Sequence, residues 1–236
     1  KKKDILIFGS NGVIGKSLCE ALNSDYNIYA SDIHADSVIE VYRYYNINST
    51  KLNEIYNRFT PYAVIHCQQF KGKKFLKTDL FNLNLEDFDA VMDTNVRFVL
   101  NSIINYAKNI KEENSIGRVI NFTSTYGLIS SNPSLYENTE MNNPIYYTIS
   151  KFALTGLTKY LASYFKNYNI LTNSISPHGI ENNQSDKFVK NFSKRSPIGR
   201  LSLSEEVLPA VKFLLDEHNT YTNGANISVD GGWTAC

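Results

Sequence analysis

Tyr147 and Lys151 stand four residues apart in Tyr147-Thr148-Ile149-Ser150-Lys151, a spacing that puts both on one face of a helix. A phenol with an ordinary pKa of about 10 is a poor base at neutral pH. A nearby ammonium favours the phenolate and is expected to lower that pKa. The pair predicts proton transfer at an alcohol or carbonyl oxygen, with Tyr147 taking or returning the proton as hydride moves. On its own such a pair is common on helix surfaces, so its weight depends on what else the chain supplies.

The chain supplies a glycine turn. Gly9-Ser10-Asn11-Gly12-Val13-Ile14-Gly15 separates an apolar run, Asp4–Phe8, from a helically spaced one, Val13–Leu22. Glycines there allow a tight turn, close approach of backbone to a pyrophosphate, and packing of helix on strand. The helix start would then face the phosphates with free N–H groups and partial positive charge. Asp32 ends the next strand, where a carboxylate can accept hydrogen bonds from ribose hydroxyls. Its charge would repel the 2′-phosphate of NADP, and no arginine follows to offset it, so NAD is the expected cofactor and NADP the less favoured one. An ordinary turn and a helix N-cap are the alternative readings of the two features.

Positioning these groups takes alternating strands and helices. Strands are expected at Asp4–Phe8, Asn27–Ala30, Tyr44–Ile47, Ala63–His66, Arg118–Phe122, Leu171–Ile175 and Asn226–Val229. Helical spacing covers Val13–Leu22, Leu52–Phe59, Phe88–Ile110, Tyr146–Phe165 and Glu205–Leu215, with a weakly helical segment from Asp36. Phe70–Leu85 reads as a lysine-rich surface loop with at most a short helix, Ser130–Asn143 as a polar insertion, and Glu181–Pro197 as polar and irregular. The alternation predicts an α/β fold: a Rossmann-type, doubly wound parallel sheet of about seven strands flanked by helices. One domain spanning 1–236 is expected, with substrate loops at about 126–146 and 178–197.

Composition narrows the function classes. The 236 residues are 42% hydrophobic, enough for a substantial core. A formal net charge of +1 gives no field to draw nucleic acid or an anionic membrane. The basic run Lys1-Lys2-Lys3 reads as a solvated terminus. Cys19, Cys67 and Cys236 are too few and scattered for a disulfide framework or a metal site, and fit a reducing, cytoplasmic setting. The first strand begins almost at once, so no signal peptide is expected, and the apolar runs are too short to span a bilayer.

Taken together, the motifs resemble the short-chain dehydrogenase/reductase family over nearly the whole chain. Asn121-Phe122-Thr123-Ser124 is similar to the family's strand-end segment, and Val91-Met92-Asp93-Thr94-Asn95-Val96 to its kinked-helix segment. Pro197-Ile198-Gly199-Arg200, Tyr221-Thr222-Asn223-Gly224 and Val229-Asp230-Gly231-Gly232 are similar to its late landmarks. The resemblance implies that Ser124 hydrogen-bonds the reacting oxygen, Tyr147 transfers the proton and Asn95 supports a proton-relay water. It also implies that Lys151 holds the nicotinamide ribose. Ile33 beside Asp32, Asn46 and Ile47 at the third strand, Cys67 and Gln68 after the fourth, and Pro177, Gly179 and Ile180 after the sixth complete the implied cofactor contacts. A homodimer or homotetramer through the two long helices is implied as well.

Several residues depart from the family pattern. The spacing of Gly9, Gly12 and Gly15 is that of the family's extended branch, yet the chain stops soon after Gly232, so the compact single-domain branch is expected. His66-Cys67-Gln68-Gln69 replaces Asn-Asn-Ala-Gly, and His178 stands where a glycine is usual beside the nicotinamide. The usual threonine a few residues later is missing; Asn182 and Asn183 occupy that region.

For the substrate, Tyr126, Tyr136, Asn143, His178 and Asn182 join Ser124 and Tyr147 as candidates. Loops rich in amide and hydroxyl groups suit a polyol, because buried hydroxyls must be hydrogen-bonded. The insertion Tyr136–Pro144 and the ending Asp230-Gly231-Gly232-Trp233-Thr234 resemble a bacterial subgroup associated with flagellin-modifying, nonulosonic-acid sugar biosynthesis. A sugar or activated sugar is therefore the expected substrate. The rival readings are a sugar epimerase or dehydratase with retained NAD and a non-catalytic dinucleotide-binding regulator. The dehydratase lacks its acid, since Thr125-Tyr126 follows Ser124 where an Asp-Glu pair would stand.

Overall fold

Ile5, Leu6, Ile7 and Phe8 are all buried in β1 (Lys3–Phe8), the pattern of a strand covered on both faces. A computed structural model describes residues 1–72, 80–113, 116–139 and 141–236. β1 lies inside a seven-stranded sheet with β2 (Tyr26–Asp32), β3 (Arg43–Asn46), β4 (Ala63–His66), β5 (Gly117–Phe122), β6 (Ile170–Pro177) and β7 (Asn226–Val229). The order is β3-β2-β1-β4-β5-β6-β7, and every pairing is parallel. Sheet growth reverses between β1 and β4. In such sheets ligands bind in the crevice outside the carboxyl ends of the strands at that switch point.

Alternation of side chains along β1 builds two cores. Ile5 and Ile7 pack with Leu18 and Leu22 of α1 (Val13–Leu22) and with Val211 and Leu214 of α7 (Leu208–Leu215). Leu6 and Phe8 face the other way, onto Tyr56 of α2 (Leu52–Tyr56), Ile103 and Tyr106 of α4 (Phe98–Glu113), and Leu154 and Leu161 of α5 (Ile145–Tyr164). A third cluster joins Leu135, Leu201 and Trp233 to Phe188 and Phe192 of α6 (Asp186–Ser193).

Three sequence expectations change. The segment from Asp36 forms no helix: the Asn11 side chain donates to the Asp36 carbonyl at 2.8 Å and accepts from Val38 N–H at 3.2 Å, while the Tyr44 hydroxyl and Asn46 amide both hold the His34 carbonyl at 2.9 Å. Side-chain bonds to the backbone thus replace helical ones. Within Glu181–Pro197, α6 forms because Ser185 caps it and Phe188 and Phe192, one turn apart, bury one face. Each such ring contributes about 2–3 kcal/mol on burial.

The long helix expected from Phe88 to Ile110 is α3 (Leu85–Met92) and α4 joined by a π-helical turn, Asp93–Arg97, that contains Asn95. One extra residue per turn re-aims the helix there, a device common at functional sites. Residues 73–79 of the loop expected at Phe70–Leu85 lie outside the described residues, as does residue 140 of the polar insertion. Among the described residues no helix is long and apolar enough to cross a membrane.

Candidate active site

A cleft of about 1020 Å³ opens at the switch point. Its floor is the glycine turn. Gly9 has φ +77°, and a Cβ there would lie 2.4 Å from Gln68 N; a Cβ on Gly15 would lie 2.0 Å from the Gly9 carbonyl. These two positions admit only glycine. Gly12 differs: its Cβ would meet only the Gly9 carbonyl, at 3.3 Å, and no side chain caps the start of α1. Val13 and Ile14, which border the cleft, are in the first turn of α1, where backbone N–H groups have no partner within the helix.

Asp32 borders the same end. Its two carboxylate oxygens accept Asn11 N–H at 2.9 Å and Ile33 N–H at 2.7 Å, fixing the side chain at the tip of β2. Across the turn, Gln68 borders the cleft with neither atom of its carboxamide hydrogen-bonded.

The other end of the cleft gathers Ser124, Tyr147 and Lys151. Ser124 lies just beyond β5; its hydroxyl accepts from Tyr126 N–H at 3.1 Å and stands beside Tyr147. Tyr147 and Lys151 occupy the first two turns of α5, with the ammonium 5.6 Å from the phenol ring centre. Lys151 donates to the Phe122 carbonyl at 3.1 Å. Burial pushes Tyr147 up to about 12, with the Ser124 bond opposing, and pulls Lys151 down to about 7, helped by the charge of Lys71. The lowered phenol pKa expected from the spacing is thus reversed. Withdrawing both groups from water costs more than their separated charges return.

Asn95 stands behind this group. Its amide accepts from Phe70 N–H and donates to the Phe70 carbonyl, both at 2.9 Å, and donates to Ser150 at 3.2 Å. The side chain is spent on fixing the backbone after β4 against α5.

The two departures from pattern are resolved by packing. His66 points into the core, not the cleft: it stacks on Phe8 and bonds Asn121 at 3.0 Å and Ser102 at 2.9 Å. Burial lowers its pKa to about 3, so it is neutral. His178 bonds Thr125 and sits among Tyr126, Phe192 and Trp233, an aromatic box whose last two walls come from α6 and the C-terminal turn. It too is held neutral, its pKa lowered to about 4.

Of the sequence candidates, the cleft is bordered by Gly9, Asn11, Gly12, Val13, Ile14, Gly15, Asp32, Ile33, Ile47, Cys67 and Gln68 at one end. At the other are Ser124, Tyr126, Tyr136, Asn143, Tyr147, Lys151, Pro177, His178, Gly179, Ile180 and Asn182. Ser10, Asn46 and Asn95 do not border it. Ser10 is buried behind the turn, and Asn46 shapes the neighbouring loop through His34. Sequence reasoning missed Lys71, Asn142, Phe188 and Phe192, which do border it. Ser185 followed by two phenylalanines one turn apart was the available signal for the last pair; Lys71 lay in a stretch with no pattern.

Sheet order, glycine turn and a Tyr–Lys helix in this arrangement are those of the Rossmann-type oxidoreductases. The chain belongs to the short-chain dehydrogenase/reductase family, whose model described as enoyl-(acyl carrier protein) reductase matches residues 62–234. It is similar to an L-rhamnose 1-dehydrogenase (NADP(+)) of Thermoplasma acidophilum, 29% identical over 98% of this chain and 96% of that one. A 3-oxoacyl-[acyl-carrier-protein] reductase of Rickettsia bellii is 28% identical over 97% and 85%. The post-translational flagellin modification protein A of Campylobacter coli is 23% identical over 99% and 98%. Among solved structures, a short-chain dehydrogenase from Leptospira borgpetersenii with bound NAD+ superposes with a TM-score of 0.88, at 26% identity over 99% and 93%.

Proposed function

We propose that this oxidoreductase is NAD-dependent and interconverts an alcohol and a ketone on a sugar or activated-sugar substrate, in the synthesis of surface glycans such as those modifying flagellin. The observation that carries the reading is the convergence of Ser124, Tyr147 and Lys151 at one end of a cleft whose other end pairs an uncapped helix start with Asp32. The bound dinucleotide would supply the hydride acceptor or donor. Val13 and Ile14 would hold its pyrophosphate by backbone N–H groups, and the unbonded Gln68 carboxamide can serve the adjoining polar groups. Asp32 would accept the adenosine ribose hydroxyls.

In reduction, the neutral Tyr147 phenol donates a proton to the oxygen that receives negative charge as hydride reaches the carbonyl carbon, and the Ser124 hydroxyl hydrogen-bonds the same oxygen. In oxidation, the phenolate takes the alcohol proton, and Lys151 would hold the nicotinamide ribose hydroxyls. Asn95 is a positioning residue. Asn142, Asn143 and Asn182 border the cleft and provide amide partners for hydroxyls. The rhamnose dehydrogenase and flagellin-modification relatives support this class. The acyl-carrier reductase relative favours a 3-oxoacyl ketone instead, and turnover of acyl thioesters alone would establish that second reading.

No lysine or arginine lies between Ile33 and Tyr42 to offset a 2′-phosphate. Fluorescence titration is expected to show NADH bound more tightly than NADPH. Asp32→Ala should shift that ratio by roughly a hundred-fold, through lost ribose bonds and relieved repulsion. A wild-type preference for NADPH, as the name of the Thermoplasma relative would suggest, refutes the assignment.

A homodimer or homotetramer through α4 and α5 belongs to the same reading, since Ile104, Phe152, Tyr160 and Tyr164 leave apolar surface on those helices exposed. A light-scattering mass of one subunit would rule it out. Three free cysteines suit a reducing, cytoplasmic setting.

A further inference from the structure

Two further phenols stand beside the reacting one. Tyr126 meets Tyr147 edge-on, with ring centres 6.5 Å apart, and its hydroxyl hydrogen-bonds the Tyr136 hydroxyl at 3.1 Å. All three tyrosines border the cleft. The Tyr126–Tyr136 bond uses one of two hydroxyl protons, and among the described residues neither hydroxyl has a further acceptor. Burial raises the pKa of both phenols, so both protons are kept through neutrality. One donor is therefore left over. A buried donor without an acceptor is costly, so the spare proton belongs to the hydroxyl nearer the open cleft. Tyr126 is only 6% exposed and Tyr136 is the more open of the two, which directs the bonds from Tyr126 to Tyr136 and on into the cleft.

Tyr136 is held in place from outside the cleft. Asn191 of α6 donates to the carbonyls on either side of it, that of Leu135 at 3.1 Å and that of Glu137 at 3.2 Å. Arg195 bonds the Ser134 hydroxyl, and the Tyr136 carbonyl accepts the Thr139 N–H at 3.1 Å and the Thr139 hydroxyl at 2.8 Å. The Tyr136 ring packs on Phe188, with centres 5.8 Å apart. Fixing the segment in advance lowers the ordering cost when a ligand engages the hydroxyl.

We propose that Tyr136 is a specificity-determining residue whose hydroxyl donates to a second oxygen of the substrate, on a carbon other than the reacting one, with Asn191 as its positioning residue. The class selected is a polyol or hydroxyketone, in preference to an alcohol or ketone with a single oxygen. The inference rests on the oxidoreductase reading and adds what the site demands beyond the reacting group.

NADH-loaded protein is titrated calorimetrically with cyclohexanol and with the regioisomeric cyclohexanediols. An alcohol cannot react with reduced cofactor, so binding is read without turnover. Wild type should bind at least one diol about ten-fold more tightly than cyclohexanol, the range of one hydrogen bond in a desolvated site. Tyr136→Phe should bring that ratio to about one, and Asn191→Leu should reduce it several-fold, both with the Kd for NADH within about two-fold of wild type. Equal binding of diols and cyclohexanol by wild type overturns the proposal, as does a ratio that survives Tyr136→Phe. A ratio kept in Tyr136→Phe and lost in Tyr126→Phe overturns it too, giving the free donor to Tyr126. An unchanged ratio in Asn191→Leu strikes the positioning role. A Tyr136-dependent preference in a protein that reduces no ketone would sink the oxidoreductase reading and leave this one standing; ketone turnover without any preference does the reverse.

Discussion

Tyr147→Phe is expected to lower kcat by roughly three orders of magnitude while leaving the Kd for NADH within about two-fold, because general acid–base catalysis contributes about 10²–10⁴. Ser124 stands beside the phenol and keeps its bond from Tyr126 N–H when the hydroxyl is gone. The ring remains, with its edge-on contact to Tyr126 at 6.5 Å, so stability should change by no more than about 1 kcal/mol. A pH signature distinguishes chemistry from packing. With Tyr147 pushed up to about 12, wild-type reduction should be flat through neutrality and fall only in strong alkali, whereas oxidation should rise with pH. The variant's residual oxidation should lack that rise. Unchanged turnover would refute the proton-transfer role.

Lys151→Met should cost at least about a hundred-fold in kcat/KM yet make the cofactor-free protein more stable. Burial lowers the folded pKa of Lys151 to about 7, against an ordinary value of 10.5 when unfolded. Between those values the unfolded chain binds the extra proton, so the wild type gains stability as pH rises through that window. The penalty is fully present below pH of about 7 and gone above about 10.5. Removing the amine removes the penalty and also forfeits the bond to the Phe122 carbonyl, worth about 1 kcal/mol. The net expectation is a Tm raised by about 5 °C or more at pH of about 6, with the margin closing toward pH of about 10. A lowered, pH-independent Tm would mean that the folded protein keeps Lys151 charged and paired. Such an exchange of stability for activity is common where a buried charge serves chemistry.

How much of this was legible in the sequence depends on the range of the forces involved. Strands β1 and β4 announce themselves because burial on both faces gives the unbroken apolar runs Ile5–Phe8 and Ala63–Ile65. The glycine turn is readable because steric exclusion at Gly9 and Gly15 acts within a few residues and across to Gln68. The shared helix face of Tyr147 and Lys151 follows from helical period alone. Their pKa shifts do not, since desolvation is set by the whole cleft wall, and the sign for Tyr147 came out opposite to the local expectation. Helix α6 was hidden because the partners of Phe188 and Phe192 — Leu135, Leu201 and Trp233 — are distant in sequence. His66 departs from the family pattern in sequence, and only its distant partners Ser102 and Asn121 account for its turning inward. Lys71 gave no signal, for the Asn95 clamp beside it spans 25 residues.

The most direct measurement is the loss of NADH absorbance when the purified protein, loaded with NADH, is mixed with a panel of keto-sugars, keto-acids of sugars and 3-oxoacyl thioesters. Stoichiometric NADH oxidation is expected with a hydroxylated ketone, together with its near-complete loss in Tyr147→Phe. NADH that binds tightly but is consumed by no ketone in the panel, or consumed equally fast without the Tyr147 hydroxyl, would contradict the assignment of Ser124, Tyr147 and Lys151 as the reacting group.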